Sequence, residues 1–261
     1  MENNKKIPSW LKWLPLIGFL IFWEVVSNSI ERGVFYYGSP STVAKALYNK
    51  TVDGSLWIDT AATLLEVIVG FVIGNILGTF LGLAFWYNRY LSAIIRPYIL
   101  VAGAIPAVAF APIVILFFGI GIKAKIVLVI FSTVVVATVQ AFEGANRANE
   151  NYIRLLQSLG ASRWQIFQKI IVPSSLFWLF TGFKLNIGFA ILGAFVGEYI
   201  SSEVGLGHMI ILAQGLFNTP VVLAGIVMIA LVSIVLTAII SYFQKRLLPW
   251  EHSTTEQKQD F

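Results

Sequence analysis

An all-α, polytopic membrane fold is predicted by three observations: an excess of apolar residues, their collection into bilayer-length runs, and the placement of charge at the run ends. Of 261 residues, 57% are hydrophobic and 12% charged, against about 25% charged in a soluble domain. Mean hydropathy is +0.80. The absence of cysteine excludes a disulfide scaffold and thiolate metal sites. The formal charge of +5 is scattered singly between apolar runs. It therefore reads as membrane orientation and not as a nucleic-acid footprint.

A bilayer core takes roughly 20 apolar residues per helix. Six runs meet this, at about 11–30, 61–86, 98–119, 123–142, 175–200 and 220–243. None alternates in polarity, and backbone polar groups cannot stay bare in lipid, so helices are expected throughout. The first run follows Lys5, Lys6 and Lys12, as a signal peptide would. No small-residue cleavage site follows and Trp23-Glu24 lies inside it, which makes it a retained anchor. Between the first two runs, Gly38-Ser39-Pro40 signals a turn, a short amphipathic helix follows, and Asp59 is a candidate cap for the second span. That span carries Gly70, Gly74, Gly78 and Gly82, a four-residue strip that lets helices approach closely. Pro106 and Pro112 should each remove a hydrogen bond and bend the third span. The freed carbonyls could line a passage, or the kinks could serve packing alone. Gly205-Leu206-Gly207 is read as a re-entrant or surface turn.

Positive charge orients the spans. With the N-terminus inside, twelve basic residues face the cytoplasm: Lys5, Lys6, Lys12, Arg89, Arg96, Arg147, Arg154, Arg163, Lys169, Lys245, Arg246 and Lys258. Five lie outside: Arg32, Lys45, Lys50, Lys123 and Lys125. The bias places both termini in the cytoplasm. The expected organisation is a cytoplasmic tail over 1–10, a transmembrane domain over 11–247 with a polar insert at 143–173, and a second tail over 248–261. Trp13, Trp57, Trp86, Tyr87, Tyr90 and Tyr98 fall near run ends, where aromatic rings suit the membrane interface.

The polar insert is the most informative stretch. Residues 148–159 and 162–171 each show helical periodicity. Ile153, Leu155, Leu156 and Leu159 are the apolar positions of the first, and Trp164, Ile166, Phe167 and Ile170 those of the second. Gly160 breaks the pattern, Ser162 is placed to cap the second helix, and Pro173 marks the start of the fifth span. Such an elbow could dock into a groove on a partner or lie on the membrane surface.

Leu159-Gly160-Ala161-Ser162-Arg163-Trp164, with Ile170 and Pro173 downstream, resembles the cytoplasmic coupling loop of ABC-transporter permeases. That loop reads Glu-Ala-Ala, three residues, Gly, then Ile-x-x-Pro; here Arg154-Leu155-Leu156 stands in place of Glu-Ala-Ala. The likeness extends to Gly38-Ser39-Pro40, to Pro106, Pro112 and Phe118-Gly119-Ile120-Gly121, and to Glu198 followed by Gly205-Leu206-Gly207. The chain is similar to permeases of the nitrate, sulfonate and taurine importer family. The resemblance implies a type I ABC importer-like fold in the inner or plasma membrane, working as a permease homodimer with two cytoplasmic ATPase subunits and an external solute-binding protein. It assigns contact with the ATPase to Arg154, Leu155, Leu156, Leu159, Gly160, Ala161, Ser162 and Trp164. The solute is expected to be a small anion such as nitrate, taurine or an alkanesulfonate, with a thiamine precursor or other heterocycle as the alternative.

No Gly-x-x-x-x-Gly-Lys-Ser/Thr motif is present, so ATP and Mg²⁺ are expected on the partner ATPase, with no cofactor in this chain. The intramembrane polar residues are Glu66, Asn75, Gln140, Lys184, Asn186 and Glu198. Such groups face partners or pathways; Gln140, Lys184, Asn186 and Glu198 join Pro106 and Pro112 as pathway candidates. Lys184 could attract an anionic solute or pair with Glu66 or another carboxylate. Glu198, near the outer mouth, could close a gate, meet the binding protein, or simply be satisfied at the interface. A membrane enzyme is disfavoured by the lack of cysteine, by histidine only at His208 and His252, and by the lack of a metal-spaced cluster. An ATP-independent secondary carrier would have no use for the elbow, and no paired internal repeat is visible.

Overall fold

The computed structural model describes residues 13–247, together with Leu11. The expected tails, and Lys5, Lys6, Lys12, Lys258 and His252 with them, lie outside the described residues. Among those described, all regular structure is helical. Four helices are long and apolar enough to cross a membrane: α4 (Ser55–Tyr87), α7 (Ile122–Asn146), the continuous Arg163–Ser201 and α12 (Thr219–Leu247).

The other two expected spans take different forms. The run at 11–30 yields α1 (Leu14–Ser29), a 16-residue helix and so only about 24 Å long. The run at 98–119 is divided into α5 (Arg89–Ala104), a 3₁₀ turn (Ala107–Phe110) and α6 (Ala111–Phe118). Pro106 makes the break, adopting extended backbone just before the turn. Pro112 does not bend anything. It occupies the first turn of α6, where no N–H is needed. Two short helices, α2 (Gly33–Tyr37) and α3 (Pro40–Val52), fill the segment before α4. Ser39 and Thr42 close a reciprocal cap at the start of α3.

The expected cap at Asp59 does not form, and α4 starts behind Gly54 without a side-chain cap bond. α4 begins six residues earlier than anticipated, and Asp53 accepts from the Ser55 backbone N–H at 2.8 Å and from its hydroxyl at 2.6 Å. Those bonds hold the Asp53 carboxyl below its ordinary range. Asp59 lies inside α4.

The frame is built on α7. Its one side meets the glycine strip of α4: a Cβ on Gly70, Gly74 or Gly78 would fall 2.5, 2.0 or 2.5 Å from Val129, Thr133 or Ala137. Its other side meets α10 (Val172–Ser201), where Gly193 and Gly197 leave no room for a Cβ against Ser132 and Lys125. Small residues on both neighbours thus bring three backbones into direct contact. α12 and α11 (Leu206–Gly215) complete the core through Leu206, Met209 and Val232. Leu206 and Gly207, expected in a turn, instead open a two-to-three-turn helix. Gly205, with φ of +124°, precedes it as the left-handed residue that lets the chain reverse.

Candidate functional site

The insert folds as the expected elbow. α8 (Glu150–Ser158) is capped by Asn149, whose side chain accepts from the Asn151 N–H. It ends in a six-to-one bond from the Ala161 N–H to the Leu156 carbonyl and a second from Gly160 to Gln157. This closure requires a left-handed residue, and Gly160 supplies it with φ of +77°. Ser162 and Gln165 then form a reciprocal cap for α9 (Arg163–Ile166).

One expectation is corrected at this point. Pro173 does not separate the elbow from the fifth span. A π-turn (Phe167–Ile171) joins α9 to α10, so residues 163–201 form one 39-residue helix. Proline lacks an N–H and its ring crowds the carbonyl four residues back. Widening the preceding turn to i→i+5 bonding absorbs that defect without ending the helix.

The apolar side chains of the elbow divide into two sets. Ile166 and Ile171 are buried with Ala145 and Ala148, and Ile153, Leu156, Ala161, Phe167 and Ile170 pack around them, together with Leu83 and Trp86 of α4. Tyr152, Leu155, Leu159 and Trp164 point outward, with 62, 56, 72 and 53% of their surface exposed. An aromatic bracket fixes the base: Phe167 stacks on Trp86 and Trp164, and Arg163 lies 5.1 Å above the Tyr87 ring while donating to its carbonyl. Arg154, at the position of the missing glutamate, pairs with Glu150 of its own helix at 2.9 Å. That contact is largely exposed and weakly stabilising.

At the opposite end of the same helices lies a buried polar knot. Glu198 accepts from the Thr63 hydroxyl and from the Gly207 N–H, both at 2.6 Å. Thr63 accepts from the Leu206 N–H at 2.9 Å, and Asp59 from the Gly205 N–H at 2.9 Å. Three successive amides at the start of α11 are thus held by side chains of α4 and α10. Glu66 pairs with Lys125, which also donates to Ser202 at 2.9 Å. The partner considered for Glu66 was Lys184; Lys125, counted as a loop charge, takes that place because the α7 helix begins three residues before it. Between the two ends, Asn186 donates to Asn75 at 2.7 Å and to the Thr133 carbonyl at 3.1 Å.

The pathway candidates are accordingly not assembled into one site. Asn186 and Glu198 are buried between helices, Glu198 bonded to Thr63 and Gly207 and Asn186 to Asn75 and Thr133, while the Asn186 Oδ1 has no hydrogen-bond partner among the described residues. Gln140 is half-buried against Gly182. Pro106 sits in the α5–α6 break and Pro112 in the first turn of α6. Lys184 is half-buried on α10 and makes no ion pair among the described residues. Asp59 and Thr63 were not foreseen as partners. Their spacing with Glu66, at i, i+4 and i+7 of an apolar helix, was the available signal.

The profile of the family described as binding-protein-dependent transport system inner membrane component matches residues 74–249, a stretch that includes α7, the elbow, α10 and α11. The chain belongs to this family. It is a multi-pass membrane transport component, a permease subunit and not itself an enzyme. Curated relatives include the riboflavin transport system permease protein RibX of Chloroflexus aurantiacus, 32% identical over 91% of this chain and 89% of that protein. The taurine transport system permease protein TauC of Escherichia coli is 31% identical over 88% and 85%. The formylaminopyrimidine transport permease protein ThiX of Halalkalibacterium halodurans is 29% identical over 88% and 92%. Among solved structures, an inward-facing MetNI methionine ABC transporter chain aligns with a TM-score of 0.64, covering 75% of this chain and 95% of that one at 17% identity. The fold is that of a type I ABC importer permease.

Proposed function

We propose that this chain is the membrane subunit of an ATP-driven importer that moves a small solute delivered by an external binding protein. It works as a homodimer with both termini in the cytoplasm. Two ATPase subunits, which bind the ATP and Mg²⁺, seat against the elbow. The observation that supports this reading is the outward ridge of Tyr152, Leu155, Leu159 and Trp164 on a rigidly packed base. Exposed aromatic and leucine anchors beside a polar rim suit a protein groove. Around them, Gly160, Ala161 and Ser162 set the bend, Leu156 fastens it inward, and Arg154 belongs to the rim.

The solute is an anion such as nitrate, taurine or an alkanesulfonate, on the strength of Lys184, a cationic side chain placed within a membrane-crossing helix. A second reading, a flat heterocycle, is favoured by the similarity to RibX and ThiX. One experiment tests both: ATP hydrolysis by the complex in nanodiscs, with its binding protein and a panel of nitrate, taurine, alkanesulfonates, riboflavin and formylaminopyrimidine. Stimulation by one loaded binding protein is expected and identifies the solute class. Failure of any ATPase to associate would overturn the importer reading.

A further inference from the structure

The elbow and the polar knot are at opposite ends of the same two helices. The helix that begins at Arg163 continues through the π-turn to Ser201, about 58 Å, and carries Glu198 near its far end. α4 spans 33 residues, about 50 Å. Its last residues, Trp86 and Tyr87, are bracketed by Phe167, Trp164 and Arg163 of the elbow, and near its first turns it holds Asp59 and Thr63. No other side chains among the described residues bond to the Gly205, Leu206 and Gly207 amides. The fit of this arrangement is tight. A Cβ on Gly205 would fall 2.3 Å from the Glu198 carboxyl carbon, and one on Gly207 would fall 3.0 Å from Glu198 Cβ.

We propose that α11 is a gate element at the outer mouth, and that Asp59, Thr63 and Glu198 form a latch through which elbow movement reaches it. This rests on the elbow being the ATPase contact. Both rods are tied together at mid-height by Asn75, Asn186 and the Thr133 carbonyl, so a push at α9 moves them as one body. Close packing along α7 makes bending within the rods costly, and displacement is therefore delivered to their ends. At the outer end three directional hydrogen bonds on successive amides fix both the position and the rotation of α11. They are the part that must break or re-form when α11 moves.

The test uses the complete complex in nanodiscs. Hydrogen exchange over 203–212 is measured with and without vanadate trapping, beside ATP hydrolysis and transport. Wild type should show exchange over 203–212 that changes on trapping. Thr63→Val removes both the acceptor for Leu206 and the donor to Glu198. It should raise exchange at 206 about tenfold, abolish the trapping response, and leave hydrolysis running without the binding protein. In the reverse direction, Ala62→Cys with Val204→Cys, bridged by a short bis-maleimide, should hold α11 in place and stop transport. Both residues line one cleft beside the latch, and the chain has no other cysteine. The latch is overturned if trapping leaves 203–212 unchanged in an actively transporting wild-type complex, or if either variant keeps normal coupling. If wild type does not assemble with an ATPase, the elbow reading fails first and the latch falls with it; that outcome is distinct from an assembled complex with a silent α11.

Discussion

Glu66 on α4 and Lys125 on α7 form an ion pair buried between two membrane-crossing helices, with 1 and 5% of their side chains exposed. Their charges are removed from water on both sides, so neither can be lost alone cheaply. Lys125→Met should cost about 3–5 kcal/mol by leaving an uncompensated carboxylate. Adding Glu66→Gln should recover most of it. Thermal unfolding of the single and double variants in one detergent checks this. A double variant no more stable than Lys125→Met would show that packing, and not charge, dominates.

The α4–α7 seam gives a second prediction with its own control. Gly74 has Thr133 Oγ1 2.0 Å from where a Cβ would sit, and the Ile130 carbonyl 3.2 Å away. Gly74→Leu should therefore force the helices apart, with a loss of at least about 1–3 kcal/mol. Gly188, on α10, has nothing within 4 Å. Gly188→Ala should be neutral or stabilising by up to about 1 kcal/mol, since alanine is the better helix former. Equal loss of folded protein from the two substitutions would count against the seam.

The parts of the fold legible in the sequence are those governed by local periodicity. The glycine strip, the Gly160 reversal, the Ser162 cap and four of the six apolar runs depend on residues within one or two turns, and these are found where the pattern put them. The expectations fail where a distant partner, or a choice between two local backbone geometries, decides. Asp59 looked like a cap for its own helix because nothing nearby discloses the Gly205 amide, 146 residues away. Lys125 looked like a loop charge because its neighbour Lys123 suggested a polar segment. Pro173 looked like a boundary because sequence rules favour an ordinary helix start over a π-turn. Pro112 has the sequence context of a kink, but the chain is already broken at Pro106. Which side of the elbow stays exposed was also not legible, because its two helices are apolar on more than one face and only packing against Leu83 and Trp86 separates them.

The exposed ridge makes a separate prediction from the elbow's buried base. Leu155→Glu should change the stability of the isolated permease by no more than about 0.5 kcal/mol, as for other surface positions, whereas Trp164→Glu should cost about 0.5–1.5 kcal/mol because it also loses its stacking on Phe167. Association with the ATPase should weaken by about tenfold or more, since exposed leucine and tryptophan anchors each contribute on the order of 1–2 kcal/mol. Co-purification yield and a binding titration in nanodiscs measure it. Unchanged association would place the ATPase contact elsewhere.

Lys184 separates the two solute readings. If an anion passes along α10, Lys184→Gln should lower its transport by about ten- to a hundredfold, the range for losing a hydrogen bond to a charged group. Lys184→Arg should retain part of it. Basal ATP hydrolysis should not change. Normal uptake of the anion by Lys184→Gln would remove the charge argument and leave the heterocycle reading in place.

Gly160 tests coupling itself. Its φ of +77° is costly for a side-chain-bearing residue, yet no atom lies within 4 Å of where a Cβ would be. Gly160→Leu therefore meets a backbone penalty of about 1–2 kcal/mol and no steric clash. The chain should insert and accumulate normally, because the three-helix core does not involve this residue. The angle between α8 and α9 should be lost, since the bonds from Ala161 to Leu156 and from Gly160 to Gln157 both depend on the left-handed turn. Transport should then fall while ATP hydrolysis continues without the binding protein. Gly160→Asn, which tolerates the left-handed region, should restore coupling in part. Normal uptake by Gly160→Leu at equal expression would mean that the elbow's angle is not what couples hydrolysis to movement of solute.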